Sequence, residues 1–549
     1  MAIETSVSRP RRTAGWDLSP FAAIAALLAA APLVAVAVLA VSGPLDDYLL
    51  HVAQTRLADY LSNSAIVGVT AAVGAGSVGV ITAWLVARAH FPGRRFFQWA
   101  LALPLAVPAY VAAYAWLDLS QGAGPIKSAL RDGGIEWLAA ALPTVRGPFG
   151  AGLIFAFTLY PYVYLLARES FSSQSVDTYD AARTLGYGPV AAFRRTALPM
   201  ARPAIAAGMA LVIMESLADY GAVAHLGAPT LTVGIVRAWA GAGALADAAR
   251  LALLLAAIAL VIFSAERAQR RRARISTLSG RTRPPRRERL HGWTGAGATL
   301  LCALPLLIAL VIPLARMGWL ALEAPAARGL LDAFRHSAIL ASTTGVLAAG
   351  LGLLTAYAVR RGSWFAKASS RLASLGYAAP GAVAAVGVIA VLSLAQSGLD
   401  AVWGGVFPIL LTSTVLALIF AYLSRFAAAA IGPCESALER VTPALDGAAR
   451  TLGERPLGVL RRVHWPLVSG GAITAGLIVF VEVLKELPAT MILRPFNFDT
   501  LAVIAHNYAS DERLGQAGAP AFALVLTALL PMIYVARRIV KDSALEDLG

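Results

Sequence analysis

Apolar residues run through most of the chain in long stretches, and short polar segments separate them. A helix needs about 20 predominantly apolar residues to cross a bilayer. Two shorter or interrupted apolar stretches, 136–145 and 222–246, are expected to form re-entrant or surface helices. The pattern predicts twelve membrane spans, at residues 20–42, 64–87, 96–118, 150–167, 203–223, 247–264, 295–317, 337–359, 372–396, 405–424, 470–492 and 518–536.

Composition supports an all-α, polytopic membrane protein. The chain is 58% hydrophobic and only 14% charged, whereas a soluble protein of 549 residues needs a larger polar surface. The first apolar run is longer than the ~7–15 residues of a signal peptide, so we expect an uncleaved first helix.

The distribution of positive charge predicts the orientation. The net charge is +15, and a cytoplasmic N-terminus places roughly three quarters of the Lys and Arg residues in the inner loops. This positive-inside pattern predicts that both termini are cytoplasmic, and it makes a nucleic-acid partner unnecessary. The densest basic run, 266–291, is expected to be a cytoplasmic linker that contacts anionic membrane lipid.

The sequence carries no recognisable catalytic or cofactor-binding motif. No lysine follows glycine as the phosphate-binding P-loop requires, and the seven histidines and two cysteines show no metal-ligand spacing. We therefore expect a non-enzymatic chain without a cofactor, and any ATP hydrolysis must come from another polypeptide.

Two copies of one unit make up the chain. "DAARTLGYGPVAAFRRTALP" (180–199) and "GAARTLGERPLGVLRRVHWP" (447–466) are identical at half of their positions. Residues 64–88 resemble 337–361 in the same way. The repeat predicts a first unit at 1–265, the linker at 266–291 and a second unit at 292–549. Six spans in each unit make the repeats parallel, related by an axis along the membrane normal.

The duplicated segment is a short helix rich in alanine, followed by glycine and a second basic helical patch. Small side chains let another surface approach closely, and arginines form charge-assisted hydrogen bonds with acidic groups. Two equivalent elements on one side of the membrane suit a partner that is itself a two-fold dimer. An ordinary connecting loop is the alternative.

This segment resembles the EAA loop of permeases in binding-protein-dependent ABC importers. The resemblance implies a type I importer permease fold in the bacterial inner membrane, a dimer of cytoplasmic ABC ATPase subunits as partner, and a periplasmic substrate-binding protein. Glycine replaces the acidic residue in the second copy, at position 447. The residues that the resemblance assigns to ATPase coupling are Asp180, Ala181, Ala182, Gly186, Pro199, Ala448, Ala449, Gly453 and Pro466.

Two pairs of carboxylates end the fifth predicted span of each unit: Glu215 with Asp219, and Glu482 with Glu486. A spacing of four residues places each pair on one helix face. Ionisable groups inside a span are costly and commonly face a transport pathway. Oxygen ligands suit a hard cation or a cationic organic substrate, and they disfavour a bare anion such as sulfate unless positive charge screens it. A structural role, with Lys485 neutralising one acid, is the alternative.

Residues 481–514 resemble the corresponding region of ferric-iron permeases in the same superfamily, and 214–239 resemble the matching region of the first unit. This resemblance implies Fe(III), delivered by a periplasmic protein, as the substrate, although no metal ligand is firmly assigned. Thiamine, polyamine and phosphonate permeases share the architecture, so these substrates stay open. An ion-driven secondary transporter is a further alternative, since parallel six-span repeats occur there too.

Overall fold

The computed structural model describes residues 18–43, 47–173, 176–276, 287–325, 327–454 and 456–546. Apolar runs fold as helices because a helix satisfies its own backbone hydrogen bonds where no water is present. The first half contains helices α1 Ser19–Ser42, α2 Asp47–Thr55, α3 Leu57–Arg88, α4 Arg94–Ala100, α5 Ala109–Ser120, α6 Pro125–Asp132, α7 Glu136–Ala141, α8 Gly147–Ser173, α9 Val176–Thr184, α10 Pro189–Ala192, α11 Leu198–Ala218, α12 Gly221–His225, α13 Leu231–Val236 and α14 Leu245–Ser276.

The second half repeats this order. It contains α15 Gly292–Leu306, α16 Ile312–Glu323, α17 Leu330–Arg360, α18 Trp364–Ala373, α19 Gly381–Trp403, α20 Val415–Glu439, α21 Pro443–Thr451, α22 Pro456–Val459, α23 Trp465–Leu484, α24 Pro488–Leu493, α25 Leu501–Ser510 and α26 Leu514–Glu546. Shorter elements are the 3₁₀ turns Leu103–Ala106, Ser374–Ala378 and Leu411–Ser413, the π-helical turns Phe193–Ala197, Arg237–Gly241, Leu307–Val311 and Leu460–His464, and the strands β1 Ala89–His90 and β2 Glu288–Arg289.

The expectation of an all-α, multi-span protein is confirmed. Within the described ranges, eleven helical stretches are long and apolar enough to cross a membrane. A helix pair bent by 90°, Arg94–Ala106 with Ala109–Asp132, is either a broken span, which brings the number to twelve, or a re-entrant loop. The apolar stretch 222–246 forms the short helices α12 and α13, and 136–145 forms α7, as expected for segments that do not span.

Two predicted spans are broken by proline. The third breaks between Ala106 and Ala109, and the ninth breaks between Ala378 and Gly381. Val107 and Ala379, each before a proline, have extended backbone conformations. The reason is steric, since a proline ring disfavours the helical conformation of the residue before it.

The tenth span was placed too early in the sequence. It was predicted at 405–424, but the helix α20 runs from Val415 to Glu439. Gly404 adopts a left-handed conformation and ends α19, and Asp400 then accepts a hydrogen bond from the backbone N–H of Phe407 at 2.8 Å. The apolar residues after Gly404 therefore form a loop, and the span extends further along the chain than hydropathy indicates.

The predicted linker 266–291 is helical at its beginning. The helix α14 continues to Ser276, residues 277–286 lie outside the described part of the chain, and β2 pairs in parallel with β1. The unit boundaries 1–265 and 292–549 remain a prediction.

The first span of each half contacts both halves. The helix α1 packs against α17, α18, α19 and α20 of the second half and against α14 of its own. In the seventh span, α15 contacts α3 and α16 contacts α5 of the first half, and α16 also packs against α26 of its own half. Arg316 of α16 donates to Asp118 of α5 at 2.6 Å. Trp116 donates from its indole N–H to the carbonyl of Ile308 at 3.0 Å. Each half is thus held by a helix from the other.

Glycine allows the central helices to approach closely. A Cβ at Gly79 of α3 would lie 2.7 Å from the Cβ of Val163 in α8, and a Cβ at Gly208 of α11 would lie 2.7 Å from the Cα of Val163. Small residues at such crossings let backbones pack in a membrane, where van der Waals contact is the main attraction. This packing holds α8 and α11 in position beside the cleft described next.

Candidate functional site

The structure brings the four predicted carboxylates to one cleft between the halves. The cleft holds about 70 Å³ of space that water can occupy. Segments at the break in the third span and at helix ends line it, including Val107 to Tyr110, Phe155, Thr158, Glu215, Asp219, Arg425, Phe426, Glu482 and Lys485 to Pro488. Its walls therefore come from α8 and α11 of the first half and from α20 and α23 of the second.

The members of each carboxylate pair do not share a helix face. The helix α11 ends at Ala218 and α23 ends at Leu484, so Asp219 and Glu486 lie in the connections to the next short helices. Asp219 Oδ1 accepts from the backbone N–H of Ala222 at 2.7 Å. A carboxylate that accepts backbone N–H groups nearby competes with continuation of the helix. The prediction that each pair shares one helix face, made from the spacing of four residues, is therefore wrong.

Glu486 makes more such bonds than Asp219. Its two oxygens accept from the backbone N–H groups of Ala489 and Thr490, each at 3.0 Å, and Oε2 also accepts from the Thr490 hydroxyl at 2.9 Å. Its side chain is only 1% exposed. These bonds fix Glu486 at the start of α24. Glu215 and Glu482, by contrast, lie in the last turns of α11 and α23.

Two cations of the second half accompany the four acids. Lys485 Nζ lies 2.8 Å from Glu482. The guanidinium of Arg425, in α20, lies 3.7 Å from Glu215 of the first half and 3.6 Å from Glu486 of the second. Arg425 therefore bridges the halves across the cleft.

The repeat is broken at this arginine. At the offset of 267 residues that relates the two EAA-like segments, Arg425 corresponds to Thr158 in α8. Thr158 also lines the cleft, and its hydroxyl donates to the carbonyl of Ile154 at 2.9 Å. Lys485 corresponds likewise to Ala218. Among the charged residues that line the cleft, the first half thus contributes two acids, and the second half contributes two acids and two bases.

Sequence reasoning missed Arg425 and Tyr110. The early placement of the tenth span left Arg425 just outside it, although aligning the repeats would have marked a buried arginine opposite a threonine. Tyr110 is the second residue of α5, next to the break in the third span. Its hydroxyl is buried without a hydrogen-bond partner among the described residues.

The described residues contain no group of three His, Cys, Asp or Glu side chains arranged to hold a metal ion. The carboxylates engage Arg425, Lys485 and backbone N–H groups instead. In this conformation two side-chain cations offset part of the negative charge of the four acids, and any cation that enters must compete with them.

The two EAA-like segments fold alike. In each, a short helix (α9 or α21) is followed by a glycine with positive φ, +87° at Gly186 and +82° at Gly453. A second short helix and a π-helical turn then lead into a long span. The left-handed conformation favours glycine, because other residues clash with the following carbonyl.

Each segment exposes one large apolar side chain before that glycine. Leu185 is 78% exposed and Leu452, at the same repeat position, is 84% exposed. Ala181 and Ala448 are exposed, whereas Ala182 and Ala449 face inward, so only half of each alanine pair is available to another surface. The side chain of Asp180 lies outside the described part of the structure.

Proline opens the span that follows each segment. Pro199 and Pro466 are the second residues of α11 and α23. Both prolines lie in the first turn of their helix. Each helix directly follows a π-helical turn, so the N–H group that proline lacks falls where the backbone hydrogen-bond pattern changes.

Comparison with known proteins decides the family. The profile of the family described as binding-protein-dependent transport system inner membrane component matches residues 75–274 and, again, 348–541. The chain belongs to this family. The permease therefore contains two family units in one polypeptide, as its internal repeat predicted.

Relatives with known roles are transport permeases. The Fe(3+)-transport system permease protein FbpB 2 of Haemophilus influenzae is 26% identical over 87% of this chain and 89% of its own length. The sulfate transport system permease protein CysT of Salmonella typhimurium is 31% identical over 27% of this chain and 51% of its own. The molybdenum transport system permease protein ModB of Escherichia coli is 33% identical over 26% and 60%.

These comparisons identify a multi-pass, inner-membrane importer permease. They give the transport class without giving the transported substrate, because permeases named for Fe(3+), for sulfate and for molybdenum are all similar to this chain. The choice of substrate rests on the chemistry of the cleft.

Proposed function

We propose that the permease carries Fe(III), received from a periplasmic binding protein, into the cytoplasm. The observation that carries the proposal is the convergence of four carboxylates from both halves on one cleft that contains only two basic side chains. Carboxylate oxygens are hard ligands suited to a hard cation. The similarity to FbpB 2 along nearly the whole chain supports the same substrate.

The energy for transport comes, in this proposal, from a separate dimer of ABC ATPase subunits. The two EAA-like segments are the docking elements, with Leu185 and Leu452 as exposed apolar contacts at equivalent positions. Positive-inside charge places these segments and both termini in the cytoplasm. One segment then engages each ATPase subunit, and the pseudo-two-fold symmetry of the permease matches the symmetry of its partner.

The cleft would hold the ion only weakly. Glu486 and Asp219 are tied to backbone N–H groups, whereas Glu215 and Glu482 face the cleft with Arg425 and Lys485 nearby. Conduction requires binding that is favourable enough to admit an ion and weak enough to release it. The basic side chains lower the affinity of the acids for a cation and so favour release.

The deciding experiment is uptake of radiolabelled iron into vesicles that contain the permease, its ATPase and its binding protein. The double variant Glu215→Gln with Glu482→Gln keeps side-chain shape and removes two charges from the cleft. We expect it to lose most iron uptake while membrane insertion and ATPase binding persist.

A matched control neutralises two acids on the exposed surface, Glu323→Gln with Asp332→Asn. We expect the control to transport iron at the parent rate. Parent-like uptake by the cleft variant would refute the carboxylate pathway. Transport of thiamine, a polyamine or a phosphonate without iron would refute the substrate.

An oxyanion is the second candidate, and one observation favours it. Arg425 and Lys485 place two cations in the same cleft, and the relatives CysT and ModB are named for sulfate and molybdenum transport. Labelled sulfate and molybdate belong in the same vesicle assay. Uptake of either anion, abolished by Arg425→Gln and retained in the carboxylate variant, would establish this alternative instead.

A further inference from the structure

A second cavity, separate from the cleft, is strongly basic. It is open to solvent, holds about 800 Å³ of space that water can occupy, and is lined by His90, Phe91, Pro92, Gly93, Arg94, Arg95, Arg287, Arg289, Leu290 and His291. Four arginines thus face one concave space, and the proposed function assigns none of them a role.

Backbone pairing builds this cavity from segments far apart in the sequence. The strand β2, at the end of the linker, pairs in parallel with β1, at the end of α3. The backbone N–H of Leu290 donates to the carbonyl of His90 at 3.0 Å. The hydroxyl of Thr299 donates to the carbonyl of Pro92 at 2.9 Å. The end of the linker is therefore held against the connection between the second and third spans.

The described residues place no carboxylate in an ion pair with three of the four cavity arginines. Among the described residues, no ion pair joins Arg95, Arg287 or Arg289 to an acid, and Arg94 donates from Nε to the carbonyl of Val86 at 2.8 Å. Glu288 lies between two of the arginines, but successive side chains of a strand point to opposite faces. Bringing like charges together raises the free energy, and a bound anion would offset that cost.

Orientation of the protein in the membrane does not by itself explain the cavity. The positive-inside rule needs basic residues near the ends of spans, whether or not they converge. The corresponding turn of the second half, between α17 and α18, carries basic residues too, yet Lys367 and Arg371 there line none of the described cavities.

The depth of the cavity indicates the source of the anion. It lies where α3 ends, where α4 begins and where α15 begins. Two exposed aromatic residues stand beside it, Phe96 at 48% and Trp293 at 93% exposure. Exposed aromatic side chains at span ends are typical of the membrane interface. The position of the arginines at the ends of spans, beside these aromatic residues, favours a headgroup phosphate as the anion.

We propose that this cavity binds the phosphate group of an anionic phospholipid of the inner leaflet. The planar guanidinium group presents paired N–H donors that match phosphate oxygens, and Arg287 and Arg289 supply two of them from the linker. The bound lipid would hold the linker strand to the first unit. This inference does not depend on the identity of the transported substrate.

The test measures which lipids stay bound to the purified permease. The protein is reconstituted in phosphatidylcholine with or without phosphatidylglycerol, extracted in mild detergent, and examined by native mass spectrometry and by thermal unfolding. We expect the parent to retain phosphatidylglycerol and to unfold at a higher temperature with it. Arg287→Gln with Arg289→Gln should reduce retained phosphatidylglycerol several-fold and abolish the temperature shift.

The control Lys367→Gln with Arg371→Gln removes the same charge from the second half and should behave like the parent. Arg287→Lys with Arg289→Lys, which keeps the charge and the fold, should retain an intermediate amount of lipid if the planar fork matters. Equal loss in the control and the cavity variant would overturn the proposal. A stabilising shift produced by inorganic phosphate as large as that produced by the lipid would overturn the lipid as the source.

Discussion

Arg425 is the difference between the two halves that most affects the cleft. It is buried, it lies between Glu215 and Glu486, and threonine stands at the repeat-related position 158. Removing one partner of a buried ion pair costs about 3–5 kcal/mol, because the remaining charges lose their compensation. Arg425 thus forms ion pairs with an acid from each half, and in the proposed function it lowers the affinity of these acids for a cation.

For Arg425→Thr we expect a lower unfolding temperature and, in the complex with its ATPase, faster ATP hydrolysis without binding protein. The reason is that the variant removes a side chain that pairs with an acid from each half. Arg425→Lys keeps the charge and should fall between the variant and the parent. The bridging role would be excluded if Arg425→Thr unfolded and hydrolysed ATP as the parent does.

The carboxylates of the second half should differ in their contribution to stability. Glu486 accepts three hydrogen bonds, and Glu482 pairs with Lys485. Hydrogen bonds to a charged group contribute about 1.5–3 kcal/mol each. Glu486→Ala should therefore lower the unfolding temperature in detergent more than Glu482→Ala does. The opposite order would show that the bonds at the start of α24 are weak.

At the scale of the element, the repeated helix–glycine–helix segment depends on one backbone conformation. Gly186 has φ of +87°, and a Cβ there would meet no atom within 4 Å, so only backbone strain opposes a side chain. That strain is about 1–2 kcal/mol for an L-residue. Relieving this strain would change the angle between α9 and α10, and that angle determines the direction in which Leu185 projects from the segment.

Gly186→Ala should weaken ATPase binding to the permease in a pull-down assay, while membrane insertion is unchanged. Gly188→Ala is the matched control, because Gly188 also has open space around its Cβ position and has φ of −61°. We expect the control to bind the ATPase as the parent does. Equal binding by both variants would show that docking tolerates a change in this turn.

At the scale of the whole molecule, the contacts that each first span makes with the other half should make the halves interdependent. The helix α1 packs mainly against the second half, and α15 and α16 contact the first. Polypeptides 1–276 and 287–549, expressed together, should therefore copurify. Deleting 1–43 from the first piece should reduce recovery of the second. Independent, stable recovery of each piece would contradict this arrangement.

The orientation of the molecule can be tested with single cysteines. After Cys302 and Cys434 are replaced, Gln121→Cys, between the third and fourth spans, should react with a membrane-impermeant thiol reagent in intact cells. Thr451→Cys, in the second EAA-like segment, should react only after the membrane is opened. Both positions are exposed, so burial does not explain a difference. The reverse pattern would invert the topology and remove the proposed ATPase contact.

The amino-acid sequence by itself determined the class, the repeat and most of the spans. Apolar runs of span length, and the identity of residues 180–199 with 447–466 at half of their positions, are local properties that need no tertiary information. The two EAA-like segments were recognisable for the same reason, and their matching glycines with positive φ agree with that equivalence.

Only the tertiary structure decided how the cleft is assembled. Whether a helix continues past Ala218 or Leu484 depends on hydrogen bonds that Asp219 and Glu486 make after the chain turns, so a spacing of four could not reveal it. The place of Arg425 depends on where α20 begins, which the loop around Asp400 controls. The pairing of Arg425 with Glu215, 210 positions earlier in the chain, arises because helices from both halves meet there, and no local pattern encodes that meeting.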